Sequence, residues 1–132
     1  MILRKYMSLL GVGSARIDLI LTNETFQPGE YINGIFLIKG GTIEQQIKRI
    51  DCDLMMKELT TGYEKVIDTT TVLTSKLIQA EEMNQISFTF KLPDFIQHSS
   101  EERSYYFRTR LTFNEGVKSK DQDVIIILPK NE

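Results

Sequence analysis

Several residue types that carry chemistry are almost missing from this chain. There is one cysteine, Cys52, one histidine, His98, and no tryptophan. A single cysteine forms no internal disulfide, so the fold needs no oxidising compartment, and a cytoplasmic location is the expectation. A Ser-His-Asp triad would have to use His98, whose setting, Gln97-His98-Ser99-Ser100-Glu101-Glu102, reads as a solvated polar loop. Metal sites need several convergent ligands, and one His with one Cys at unrelated positions offers no such spacing. An excess of basic charge is also missing: 16 Lys and Arg are set against 18 Asp and Glu, and they are scattered, which argues against a nucleic-acid footprint. No apolar run is long enough to span a membrane.

What is present is ordinary for a folded domain, with 41% hydrophobic and 26% charged residues. A length of 132 residues suits one domain with a real core. The opening MILRKYMSLLGVGSA imitates a signal peptide, with Arg4-Lys5 before a short apolar run, but Ser8 and two glycines interrupt that run. Residues 2–10 read better as an amphipathic helix, with Ile2, Leu3, Tyr6, Met7, Leu9 and Leu10 on one arc and Arg4, Lys5 and Ser8 opposite. Gly11 stops it. So short a helix must dock, on its own domain, on a second copy or on a protein partner; with only two basic residues, a membrane surface is the weakest of the options. The expected layout is therefore a helix and glycine link over 1–13 and a β-domain over 14–132.

Phe26 to Gly41, FQPGEYINGIFLIKGG, organises that domain. Pro28 presets φ for the second position of a turn and Gly29 takes the positive φ that follows in a type II turn. Ile32, Gly34, Phe36 and Ile38 then share one strand face. A glycine inside a strand weakens it unless a neighbouring backbone needs the space, so Gly34 is read as a packing requirement. Gly40-Gly41 ends the strand. Upstream, Ile17, Leu19 and Leu21 form one side of an earlier strand. Downstream, Ile47 to Leu59 puts Ile50, Cys52, Leu54 and Met56 inward and Arg49, Asp51, Asp53 and Lys57 on a wet face, which implies an antiparallel sheet. Val66 to Ile78 is β-branched and reads as one longer strand. Ile86, Phe88, Phe90 and Leu92 alternate up to Pro93. Tyr105, Phe107, Thr109, Leu111 and Phe113 form another aromatic-rich face. Val124 to Leu128 is apolar on both faces and is expected to be covered on both. About seven strands, with no helical period after residue 10, indicate an all-β, two-sheet sandwich.

Searches for chemistry return little. Gly11 and Gly13 suggest a phosphate loop, but Arg16 stands where a third glycine belongs, and the segment precedes a strand instead of following one. Glu81-Glu82 and Glu101-Glu102 lack the alternating pattern of a calcium loop and read as solvated turns. Cys52 faces inward and behaves as a small hydrophobe. Arg108 and Arg110 lie on the outward face of their strand. They suit cross-strand pairing with an acidic neighbour or contact with an acidic or phosphorylated partner. Tyr105-Tyr106 would serve the alternative reading, a small-ligand or carbohydrate-binding sandwich, although only Tyr106 points outward.

Ala15-Arg16-Ile17-Asp18, Phe26-x-Pro28-Gly29-Glu30-x-Ile32-x-Gly34, Ile38-Lys39-Gly40-Gly41 and Gln46-Ile47 together resemble the N-terminal domain of the sporulation-control protein family, the stage-zero sporulation protein M type. Asp18, Phe26, Pro28, Gly29, Glu30, Gly34, Gly40 and Gly41 carry the signature. That family resembles arrestins in the opening of this strand. The resemblance implies an immunoglobulin-like, arrestin-type antiparallel sandwich in a bacterial, cytoplasmic regulator that works as an adaptor through protein contacts, without catalysis and without a cofactor or metal. Ile2, Leu3, Tyr6, Met7, Leu10, Arg108 and Arg110 are the expected partner-binding residues. Homo-oligomers through the N-terminal helix or an edge strand are the further expectation. Members of the family usually continue into a second β-domain.

Overall fold

The computed structural model describes residues 14–114, 116 and 118–130. The expected N-terminal helix, with Ile2, Leu3, Tyr6, Met7 and Leu10, lies outside the described residues. Nine β-elements follow one another: β1 (Arg16–Leu21), β2 (Thr25–Phe26), β3 (Tyr31–Lys39), β4 (Gln45–Glu58), β5 (Glu64–Leu73), β6 (Leu77–Ile78), β7 (Met83–Lys91), β8 (Arg103–Phe113) and β9 (Lys118–Ile127). They build a small sheet in the order β1-β3-β7 and a large one in the order β2-β9-β8-β4-β5, with β6 paired to the start of β4. Pairing is antiparallel throughout except for β2, which lies parallel to β9.

The period-two pattern places the core. Ile17 and Leu19 from β1, Ile32, Phe36 and Ile38 from β3, and Phe88 and Phe90 from β7 meet Ile50, Cys52, Leu54, Tyr105, Phe107, Leu111, Ile125 and Ile127 of the large sheet. Four phenylalanines tie the layers together. Phe107 packs edge-on to Phe88 at 5.5 Å and to Phe90 at 5.3 Å between ring centres, while Phe36 meets Phe88 at 5.1 Å. Edge-to-face pairs of this kind contribute roughly 0.5–1.5 kcal/mol each beyond simple burial.

The Phe26–Gly41 segment does what its residues require. The Glu30 N–H donates to the Gln27 carbonyl at 3.1 Å, closing the turn over Pro28-Gly29, and Gly29 has φ +81°. The Glu30 carboxylate accepts the Gln27 N–H at 2.9 Å, which gives the glutamate of the signature a structural role. Gly34 sits opposite Leu21 of β1 and Phe88 of β7. A Cβ there would run into the Ile20 carbonyl oxygen, so the missing side chain is a packing requirement.

Three expectations are corrected. Val66 to Ile78 is not one strand: β5 ends at Leu73, and the chain re-forms a short β6 at Leu77–Ile78 after a break in which the Ile47 N–H bonds the Lys76 carbonyl at 3.0 Å. Val124 to Leu128 is not covered on both faces: Ile125 and Ile127 are buried, but Val124 is 72% and Ile126 47% exposed, because no described residue packs over the outside of the large sheet there. Asp51 and Asp53 do sit on the outward row of β4, yet they are buried, because flanking strands and cationic side chains close over them.

The sandwich closes on one side where β1 meets β9. β1 is an edge of the small sheet, and its outer N–H groups need acceptors. The Ile17 N–H donates to Ser119 Oγ at 3.2 Å and the Leu19 N–H to Asp121 Oδ2 at 2.9 Å, while the Ala15 N–H bonds Gln45 Oε1 at 2.7 Å. Side chains of one sheet thus cap the backbone edge of the other.

Candidate interaction face

The middle of the outward face of the large sheet is built from three cross-strand rows set by the register. Thr71, Asp51, Arg110 and Lys120 form the first, Thr69, Asp53, Arg108 and Gln122 the second, and Val66, Met55, Tyr106 and Val124 the third. A bulge at Ile67 of β5, between the Leu54 and Met55 pairings, keeps the last row in line.

Asp53 is the hub. Its Oδ2 accepts Arg108 Nε at 3.1 Å and Nη2 at 2.7 Å, and Arg110 Nη2 approaches the same oxygen at 3.2 Å; its Oδ1 accepts the Thr69 hydroxyl at 2.8 Å. Burial works against the charge on Asp53, but the hydrogen bonds from Arg108 and Thr69 and the charge of Arg110 outweigh it and hold the carboxyl below its ordinary range. Asp51 is committed elsewhere, accepting the Thr71 hydroxyl at 2.8 Å and pairing with Arg49 at 3.0 Å. Arg108 and Arg110 therefore do pair across strands, as their outward position suggested, and both converge on one carboxylate.

Tyr106 donates its hydroxyl to the Glu64 carboxylate, and beside it Val124 and Ile126 stand open. Tyr105, by contrast, is buried with its hydroxyl donated to the Gln97 carbonyl at 2.7 Å, so the two tyrosines face opposite ways and form no joint platform. A cavity of about 370 Å³ lies next to it, lined chiefly by Met56, Lys65, Ile67, Pro93 and Ile96.

Cys52 is buried against Thr109 Oγ1 at 3.5 Å, and burial above all pushes its thiol up to about 12, far from nucleophilic at neutral pH. His98 is exposed in its loop. Sequence reasoning missed one grouping, at the β1–β9 closure. The carboxylates of Asp18, Asp121 and Asp123 lie within 4.8 Å of one another. Burial raises the Asp121 carboxyl above its ordinary range; the Leu19 N–H and Asp123 pull it back, and the hydrogen bond and charge of Asp18 raise it further. The crowding of these acids and the burial of Asp121 favour its protonated form, and nothing beyond the clustering points to a cation. The signal was available: counting back in twos from Ile127 and Ile125 puts Asp123, Asp121 and Ser119 on the inward row of β9.

A family model described as SpoOM protein matches residues 3–132. The chain belongs to the SpoOM protein family. Among relatives of this SpoOM domain is the sporulation-control protein spo0M of Bacillus subtilis (strain 168), 29% identical over 130 residues, covering 94% of this chain and 50% of the relative. The crystal structure of Spo0M, sporulation control protein, from Bacillus subtilis superposes with a TM-score of 0.79 at 29% identity, over 92% of this chain and 51% of that one. The SpoOM chain studied thus spans about half the length of these relatives. Among its described residues no helix is long and apolar enough to cross a membrane.

Proposed function

We propose that this SpoOM family member is a non-enzymatic, arrestin-like regulator of the sporulation-control type, acting in the cytoplasm as an adaptor through protein contacts. The observation that carries the reading is the outward face of β8 and β9. β9 pairs with β8 over most of its length and with β2 at Ile126 and Ile127, and its outward row leaves Val124 and Ile126 exposed beside Tyr106, Arg108 and Arg110. Exposed apolar side chains rimmed by polar ones are the usual mark of a contact surface. The family assignment supports the regulatory role.

A photo-crosslinking amino acid at position 124, expressed in a sporulating bacterium, tests it. The expected result is a discrete protein adduct from position 124 and none from position 89, which lies on the outward face of the small sheet. Equal yields at both positions, or none at 124, would count against the contact face.

A second reading, a small-ligand module, is favoured only by the cavity beside Tyr105, whose volume falls within the usual range of roughly 300–1,000 Å³ for such sites. A ligand that raises the melting temperature of wild type but not of Ile67→Glu would favour that reading over the adaptor.

A further inference from the structure

The outward face carries more positive charge than its own carboxylates neutralise. Arg49, Lys57, Arg108, Arg110 and Lys120 project there among the described residues, against Asp51, Asp53 and Glu64. This local excess stands on a chain whose formal net charge is −2. The carboxylates are moreover already engaged, Asp51 with Arg49, Asp53 with both β8 arginines and Glu64 with Tyr106.

The excess is concentrated at one place. Arg110 and Lys120 are direct cross-strand partners of β8 and β9, and like charges directly opposite each other destabilise a sheet. Arg110 reaches Asp53 through one contact of 3.2 Å, longer than the pair of contacts Arg108 makes, and a guanidinium has five N–H donors to offer. Lys120 is exposed, and it forms no ion pair among the described residues. Along β9 the outward row then changes character, from Lys120 and Gln122 to Val124 and Ile126. At about 3.3 Å per residue this row is roughly 20 Å long and repeats every second residue, the spacing of an extended peptide.

We propose that this face docks an extended acidic segment of a partner protein, whose carboxylates bridge Arg110 and Lys120 and whose apolar side chains cover Val124 and Ile126. The assignment rests on the outward face being the contact surface and adds the chemistry of what it contacts. A nucleic acid fits less well, because its phosphates repeat along the whole strand whereas the cations here occupy one end of the row and apolar side chains the other. The recognition is of charge pattern on an extended backbone, so a simple peptide of the right pattern is a sufficient probe.

The test uses the full 132-residue chain and three fluorescein-labelled probes: an octapeptide of four glutamates followed by four valines, its counterpart with glutamine in place of glutamate, and a single-stranded oligonucleotide. Fluorescence anisotropy is expected to show the acidic peptide binding at least about ten-fold tighter than the neutral one, weakening as salt is raised to about 0.3 M. Lys120→Glu should abolish that preference. Lys39→Glu, which makes the same change of charge on the small sheet, should not. Val124→Asp should weaken the acidic peptide further.

If both peptides bind equally and both lose binding with Val124→Asp, the contact face stands and the acidic assignment falls. Should neither peptide bind, the acidic assignment is likewise overturned, while the crosslinking result at position 124 decides the contact face by itself. An oligonucleotide that binds as tightly as the acidic peptide would make the face a general polyanion site and overturn the proposal as well.

Discussion

Two aspartates of the large sheet, Asp53 and Asp121, are equally buried, at 3% and 4% exposure, and the protein treats them in opposite ways. Asp53 lies on the outward row between two arginines and a threonine, and its carboxyl is held below the ordinary range. Asp121 lies on the inward row beside Asp18 and Asp123, and its carboxyl is raised. Burial disfavours the charge at both sites, so partners decide the outcome. Asp53 is a fixed anion that organises cations on the surface. Asp121 is an acceptor for the edge of β1 that must share its surroundings with other acids.

The largest effect expected from breaking this contrast is at the hub. Asp53→Ala leaves Arg108 and Arg110, each about one-third exposed, side by side without their carboxylate. Removing one partner of a buried pair typically costs 3–5 kcal/mol; partial hydration of the arginines brings the expected loss to about 3 kcal/mol in denaturant titration. A loss below about 1 kcal/mol would show that the network is dispensable to the fold. Asp53→Asn should recover part of the loss, since the amide still accepts from Thr69 or Arg108.

How much of this was legible beforehand follows the same division. The alternation of Ile50, Cys52 and Leu54, of Phe88 and Phe90, and of Tyr105 through Phe113 marked the core correctly, because burial on one side of a strand enforces a period of two. Pro28-Gly29 and Gly34 were legible for the same kind of local reason, a required φ and a required gap. The outward placement of Arg108, Arg110 and Asp53 was legible too, but not that one carboxylate would serve both arginines, since that depends on which strands become neighbours. Apolarity misled at Val124 and Ile126, where composition suggested double burial and no described residue packs over them. The inward placement of Asp121 and Asp123 was legible in the alternation of β9, but not their meeting with Asp18, which joins the first long strand to the last.

A smaller effect sharpens the Asp53 side. Thr69→Val keeps the β-branched shape that suits β5 and deletes only the hydroxyl that donates to Asp53 Oδ1. The expected cost is about 1 kcal/mol, the net value of one such hydrogen bond. Because the lost bond favoured the ionised carboxylate, the Asp53 carboxyl should titrate closer to its ordinary value. Carbon-detected NMR of that carboxyl checks the direction, and an unchanged titration would mean that the arginines alone set it.

The smallest expected effect is on the Asp121 side and depends on pH with the opposite sign. A carboxyl whose folded pKa is lowered, as at Asp53, contributes stability that is present above the unfolded value near about 3.9 and is lost as pH falls through the folded one. For Asp121 the folded pKa is raised, so its contribution is fully present below that unfolded value and is lost as pH rises through the folded one. Asp18→Asn replaces the neighbouring acid by an amide whose N–H can donate to Asp121 at every pH, and removes a like charge from the β1–β9 closure. At pH near 8 the variant should therefore be more stable than wild type by about 0.5 kcal/mol, in line with relief of a cross-strand like-charge contact. The gain should shrink towards pH 4, as the raised Asp121 carboxyl takes up its proton. Urea titrations of both proteins at the two pH values measure the difference directly. A gain of the same size at both would mean that the amide improves packing, whatever the charge on Asp121 at the closure of the sandwich.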